Sequence, residues 1–501
     1  MERYGRPECL PGTRVDVLHF ITNWVTDSSQ QHNILWLNGV AGCGKSTLTT
    51  TIANLFHETN RLGAFLFFNR NVNERSQPAS LIRTLAYQLG CFDPRLGDAI
   101  SAAISHHPTI RDGHPLFQFS TLLREPLASQ TDLLSEGPIV VVLDALDECG
   151  NAEDREVLLE VLTDEFVKLP PMLRVIIASR PEHDIQNRFK SVTNILPHKL
   201  SINSNNTQKD IERFIRYHLQ KIGRKMIPPL ASDWPGEHRI SILAERASGL
   251  FVWASTACKF VDGYDPEQRL GIILQEDTSS SAESALDKLY TTALESVGEW
   301  TDTIFSHDFR AIVGTILVAR DPLSASALNK LLPIDGHRHP LNAVSRLGCV
   351  LYSNAILRIL HSSFADFLSN RLRCKCDAWF IDTTAHNLRV AIHCLDRMDG
   401  YLKHNVCNLK LFISAADVSL PEEISYACVF WVEHVCLIMD PSPIADRLET
   451  FLFKHLLHWF EAMTILLKSR ETIRMLRSLR DWHRVRHFPS SRMISRRLIS
   501  I

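Results

Sequence analysis

Gly39, Gly42, Gly44, Lys45, Ser46 and Thr47 carry the spacing G-x-x-x-x-G-K-S/T, and the apolar run Ile34 to Leu37 ends just before them. The chemistry of that pattern is capture of a polyphosphate. Glycines let the backbone curl until successive N–H groups surround the anion, and a helix expected over Leu48 to Phe56 points its positive end at the same place. Lys45 is then set to neutralise the β- and γ-phosphates of a nucleoside triphosphate, and the Ser46 hydroxyl to reach Mg²⁺. An ordinary glycine turn would need neither the strand before nor the helix after.

A second set of reactive residues follows a second apolar run. Pro138 to Leu143 is rich in β-branched residues, which suits a parallel strand covered on both faces. Ligands sit at the C-terminal ends of such strands, and this one runs into Asp144, Asp147 and Glu148. Asp144 is expected to hold the Mg²⁺ through water. Asp147 and Glu148 are the two candidates for polarising an attacking water, or for capping a following helix. Arg174 to Ser179 reads as a further strand ending at Arg180, where a cation could stabilise charge developing at the γ-phosphate or could simply face solvent. Gly63 to Phe68 reads as one more core strand, with Arg70 and Arg75 beyond it and no role assigned to either.

The elements that must position these residues alternate, strand and helix, as far as about residue 200, the pattern of an α/β domain with a parallel sheet. Beyond it the text turns helical. A polar turn at Ser201 to Asn206 leads into Thr207 to Asp210, a capping-box-like start for an amphipathic helix over Ile211 to Leu219. A proline-rich loop over residues 227–236 interrupts, and helices resume from His238 to about Leu274. Glu276 to Glu283 reads as a linker. From Ala285 to about Asn370, helices and a short hairpin, Cys349 to Tyr352 with Ile356 to Leu360, suit a winged helix. The expected class is an α/β P-loop NTPase with a parallel sheet, then an α-helical domain, a winged helix and a C-terminal helical region. Its divisions are a lead-in helix in 1–30, the NTPase domain in 31–200, a helical domain in 201–275, a winged helix in 284–372, a helical bundle in 373–470, and a disordered basic tail in 471–501. From Lys468 onward ten Lys and Arg stand against Glu471 and Asp481, which suits either an anionic partner or a tail with no role.

The order of motifs resembles the NACHT-type signal-transduction NTPases, and most closely their fungal branch with a nephrocystin-like N-terminal domain. The residues that carry the resemblance run from Cys9 to Arg14, Gly39 to Ser46, Leu85 to Leu89, Leu143 to Glu148, Ser179 to Glu182, Ala247 to Ala254 and Leu360 to Leu368. It implies ATP or ADP with Mg²⁺ as cofactors, slow hydrolysis, and control of domain opening and self-association with a protein effector. It also implies that His361 reaches the β-phosphate of ADP from the winged helix and locks a closed state; a satisfied core histidine is the plainer alternative. Where animal and plant members often have Gly-x-Pro, this chain has Gly249, Leu250 and Phe251, which leaves base selectivity open. Phe251 or Trp253 could stack on a purine, or belong to the core.

Composition agrees with a soluble multidomain chain of two to four domains at 501 residues. A net charge of −2 gives no ground for a nucleic-acid or anionic-membrane partner, and no basic recognition helix stands out. No run of apolar residues suffices for a membrane span and no leader-like start is present, so a cytoplasmic location is expected. Twelve irregularly spaced cysteines read as reduced core residues. Cys43 is either an oxidisable thiol or a small side chain that fits the loop, and Cys374, Cys376, His386, His393 and Cys394 match no zinc pattern. No period of 20 to 50 residues marks a solenoid, which suggests a pared-down switch module or a shortened C-terminus. The process implied by the resemblance is fungal nonself recognition or programmed cell death. Against the switch stand a nucleotide-binding scaffold or decoy that never hydrolyses, and a small-molecule kinase, which would need an arginine-bearing lid not evident here.

Overall fold

The computed structural model describes residues 6–70, 72, 75, 78–275, 281–297, 300–332, 344–353, 356–407 and 419–486. It divides into two compact units, residues 1–289 and 290–501.

The first unit is built on five parallel strands, β1 (Ile34–Asn38), β2 (Leu62–Phe67), β3 (Ile139–Asp144), β4 (Leu173–Ser179) and β5 (Ile195–Lys199), in the order β2-β3-β4-β1-β5. The apolar runs are continuous because both faces are covered. Val141 and Leu143 of β3 join one core with Trp36, Leu66, Val175 and Ile177; Val140 and Val142 join the other with Leu35, Leu37, Ile176 and Ala178. On this second face lie α1 (Val15–Thr26), through Ile21 and Trp24, and α2 (Lys45–Glu58), through Leu48 and Ile52. On the first lies α3 (Leu81–Phe92), whose Gln88 accepts from the backbone N–H of Phe65 at 2.8 Å and donates to its carbonyl at 3.3 Å, blunting the exposed edge of β2. Four of the strands coincide with apolar runs in the sequence. The fifth, β5, is short and carries Pro197, tolerated here because the strand is an edge.

Four helices complete the unit's main helical region: α4 (Asn205–Lys225), α5 (Glu237–Arg246), α6 (Phe251–Val261) and α7 (Pro266–Gln275). The capping box expected at Thr207 and Asp210 is displaced. Ser204 is the N-cap, its hydroxyl accepting from Thr207 N–H at 3.1 Å, while Asp210 accepts from Arg14 N–H at 2.9 Å. The helix starts earlier than expected because a cap satisfies the donors of the first turn, and Ser204 does so two residues before the polar run ends.

In the second unit, α8 (Thr303–Val318) and α9 (Ala325–Leu331) precede an antiparallel hairpin, β6 (Leu351–Ser353) with β7 (Leu357–Ile359), and then α10 (Ser362–Ser369), the order of a winged helix. Ser324 bridges to Ile356 and extends the wing at its base. The bundle beyond contains α11 (Thr383–Tyr401), α12 (Glu422–Cys436) and α13 (Ser469–Val485). The disordered tail expected over 471–501 is corrected as far as residue 485. Met475, Leu476, Leu479 and Trp482 of α13 are buried, and Trp482 Nε1 donates to the Ile438 carbonyl at 3.0 Å. Its charges mask an amphipathic helix, since the arginines occupy the opposite face. Residues 487–501 lie outside the described residues, as do 276–280 of the expected linker.

Candidate functional site

The loop between β1 and α2 is held open by two left-handed glycines, Gly42 with φ +77° and Gly44 with φ +95°, a conformation that costs an L side chain steric strain. A Cβ on Gly42 would also come within 2.1 Å of Val252 Cγ1 in α6, whose N–H donates to the Gly42 carbonyl at 3.1 Å. Gly39 N–H donates to Ser179 O at 3.3 Å, so the loop starts level with the end of β4. Lys45 curls over the loop, its Nζ donating to the carbonyls of Gly39 at 2.7 Å and Val40 at 3.0 Å. Cys43 is fully buried, which places its thiol in the packing of the loop and away from solvent.

The two expected metal ligands meet: Ser46 Oγ donates to Asp144 Oδ1 at 3.2 Å, and the Asp144 carboxylate has no exposed surface. Its other oxygen pairs with the Arg6 guanidinium at 2.7 Å. Thr47 follows Ser46 in the first turn of α2, with its carbonyl accepting from Thr51 Oγ1.

Asp147 and Arg180 are also brought together, but in a way that changes the reading of Asp147. Its Oδ1 accepts from Arg180 N–H at 2.9 Å and its Oδ2 lies 3.3 Å from Arg180 Nε. Both oxygens of Asp147 are thus used in fixing Arg180 at the end of β4. Glu148 closes the same short 3₁₀ turn, Leu146–Glu148, and is half-buried. The turn begins at Ala145, a non-glycine residue with φ +57°, the kind of strained position that collects at functional loops.

Two arginines that sequence reading did not single out hold this site in shape. Arg155, buried, donates through Nη1 to the carbonyls of Asp147, Cys149 and Gly150 at 3.1 to 3.2 Å and pairs with Asp184 at 2.8 Å. Arg14, also buried, donates to the Cys43 carbonyl at 2.7 Å and to Thr207 Oγ1 at 3.0 Å, clamping the phosphate loop to α4. The Cys9 to Arg14 motif was the available signal for Arg14; Arg155 sits in an exposed-looking acidic stretch that offers none.

The aromatic alternatives separate. Trp253 is buried, with Nε1 donating to the Ala285 carbonyl at 3.2 Å, and is core. Phe251 is half-buried beside Gly44, where a Cβ would lie 3.5 Å from its ring, and Arg14 Cζ stands 4.9 Å from its centroid.

His361 belongs to the second unit, where it is the N-cap of α10. Its Nδ1 accepts from Ser363 N–H at 3.1 Å, and Ser363 Oγ is 2.6 Å from the same nitrogen and 2.7 Å from Tyr290 Oη. With Nδ1 accepting, a neutral ring carries its proton on Nε2. The other expected site residues all stand in the first unit.

Residues 18–180 match the family described as nephrocystin 3, N-terminal. That segment contains the phosphate loop, the strand ending in Asp144, and Arg180. Together with the parallel sheet and the phosphate loop, the family points to a nucleotide-binding NTPase. No curated protein matches the sequence. Among solved structures, the crystal structure of Cdc6p from Pyrobaculum aerophilum is similar, at 14% identity over 78% of this chain and 96% of its own, with a TM-score of 0.33. Among the described residues no helix is long and apolar enough to cross a membrane.

Proposed function

We propose that the chain is a nucleotide-controlled signalling switch of the NACHT class, binding ATP or ADP with Mg²⁺ and hydrolysing ATP slowly. The observation that carries this reading is the Ser46 hydroxyl 3.2 Å from the buried Asp144 carboxylate at the mouth of a loop with left-handed Gly42 and Gly44. A hydroxyl and a carboxylate beside a helix N-terminus are the donor set that suits Mg²⁺ and a polyphosphate. Ser46 and Asp144 would hold the metal, which when bound screens the charge of the phosphate oxygens. Lys45 would exchange the carbonyls of Gly39 and Val40 for β- and γ-phosphate oxygens, and N–H groups from Gly42 to Thr47 would line the anion. Asp147 would orient Arg180 toward the γ-phosphate, and orienting the attacking water would fall to Glu148. Phe251, beside Gly44, is the aromatic nearest to where a base would lie. His361, presenting Nε2–H, would read the diphosphate and favour a closed form under ADP; exchange for ATP would favour opening and self-association. A cytoplasmic setting and a role in fungal nonself recognition or programmed cell death extend this reading.

Light scattering with ADP and with a non-hydrolysable ATP analogue tests it. Growth in mass with the analogue alone, absent in Lys45→Ala, is expected; an unchanged monomer that binds no nucleotide would sink the proposal. Because Arg180 engages both oxygens of Asp147, a second reading stands beside it, a nucleotide-binding scaffold without turnover. Phosphate release that disappears in Glu148→Gln would eliminate the scaffold.

A further inference from the structure

The N-terminal segment reaches the carboxylate that would order the metal. Arg6 Nη2 lies 2.7 Å from Asp144 Oδ2, while Asp144 Oδ1 takes the Ser46 hydroxyl. Asp144 is fully buried, so the guanidinium is the cation that balances its charge. The contact is shaped by its surroundings. Arg6 Cζ stands 4.2 Å from the centroid of Phe67 and 5.6 Å from that of Phe65, ring faces that favour a cation. Three residues on, Cys9 N–H donates at 2.9 Å to Thr51 Oγ1 of α2, tying the segment to the helix that begins at Lys45. The hold is incomplete, because among the described residues Arg6 Nη1 is buried without an acceptor. An unmet buried donor weakens the closed arrangement and lowers the cost of leaving it.

We propose that Arg6 is a tethered counter-ion for Asp144 that Mg²⁺ must displace, so that loading of the metal with its nucleotide releases the segment around Arg6 from the phosphate-loop helix. The inference rests on the nucleotide reading above. A guanidinium and a divalent cation on one carboxylate repel each other at close range, and the carboxylate cannot balance both. Nucleotide alone leaves Arg6 in place; nucleotide with Mg²⁺ does not. Arg6 is a positioning residue in this scheme, acting through Asp144, and release of its segment reports the loaded state.

The test is amide hydrogen exchange of residues 6–12 in the full chain with ADP plus EDTA and with ADP plus Mg²⁺, joined to a Mg²⁺ titration of fluorescent ADP binding. Faster exchange at Cys9 is expected only when Mg²⁺ accompanies ADP. In Arg6→Gln the Mg²⁺ midpoint should fall about tenfold, since Asp144 loses its competing cation. Arg6→Lys should stay within about threefold of the natural protein, and unaltered exchange in β1 and β3 of both variants verifies that they fold. ADP bound in both conditions with exchange over 6–12 unmoved by Mg²⁺, or an unchanged midpoint in Arg6→Gln, overturns the role of Arg6 alone. Failure of the natural protein to retain ADP in either condition overturns the nucleotide reading, and this inference with it.

Discussion

The two units bury polar groups to different ends. In the first, buried charges converge on one loop: Asp144 on Ser46 and Arg6, Arg14 on the Cys43 carbonyl, Arg155 on three carbonyls and Asp184. In the second, a prominent buried group is a neutral chain, Tyr426 Oη to His434 Nε2 at 2.8 Å and His434 Nδ1 to Asn387 Oδ1 at 2.8 Å, joining α11 to α12. Trp459 Nε1 on the Cys428 carbonyl at 2.8 Å holds the same bundle. A charge cluster around an anion-binding loop stores electrostatic energy that a ligand can redistribute, whereas a satisfied neutral network mainly fixes helix packing. Ligand sensitivity should therefore reside in the first unit, which mutations in each unit can check.

The largest expected effect lies in the bundle. Trp459→Ala should lower the stability of the second unit by about 3–5 kcal/mol in urea unfolding, because a fully buried indole leaves a cavity and the Cys428 carbonyl loses its side-chain donor, while ADP affinity stays within about twofold. Loss of nucleotide binding in that variant would erase the distinction between the units. Arg155→Ala should cost the first unit about 3 kcal/mol, since Asp184 and three carbonyls lose their donor; here nucleotide binding should weaken too, read by fluorescent ADP.

Acid should act on the second unit. Burial, with Arg320 adding to it, holds His434 down at about 3, and burial with Arg389 holds His386 down at about 4. Both values lie below the ordinary histidine value, so the unfolded chain binds these protons first. The stability they confer is complete above about pH 6.5 and is lost as pH falls toward the folded values. Each should cost about 2 kcal/mol at pH 5, and His434→Gln should remove one proton's worth of slope between pH 6.5 and 5. A flat profile in the natural protein would contradict the depressed values. The smallest effect is the Ser204→Ala cap, about 1 kcal/mol, measured as faster exchange confined to the first turn of α4.

Periodicity and spacing carried much of this molecule. Apolar runs read as strands because parallel strands are covered on both faces, and the phosphate-loop glycines announced their own backbone. Ser46 and Asp144 were legible as a pair since each ends or follows a recognisable element. The helix over 469–485 was not, because nine arginines in and beyond it hide an apolar stripe that only becomes visible when Leu479 and Trp482 find the bundle.

The sequence by itself determined the local chemistry: which loop can hold phosphate and which strand ends in an acid. Tertiary structure alone decided the partners. Asp147 is bound to Arg180, Arg155 to a loop of carbonyls, and Arg6 to an acid 138 residues away. Spacing along a chain specifies backbone shape over a few residues, while the identity of a buried charge's counter-ion depends on which distant groups the sheet brings within a few ångströms.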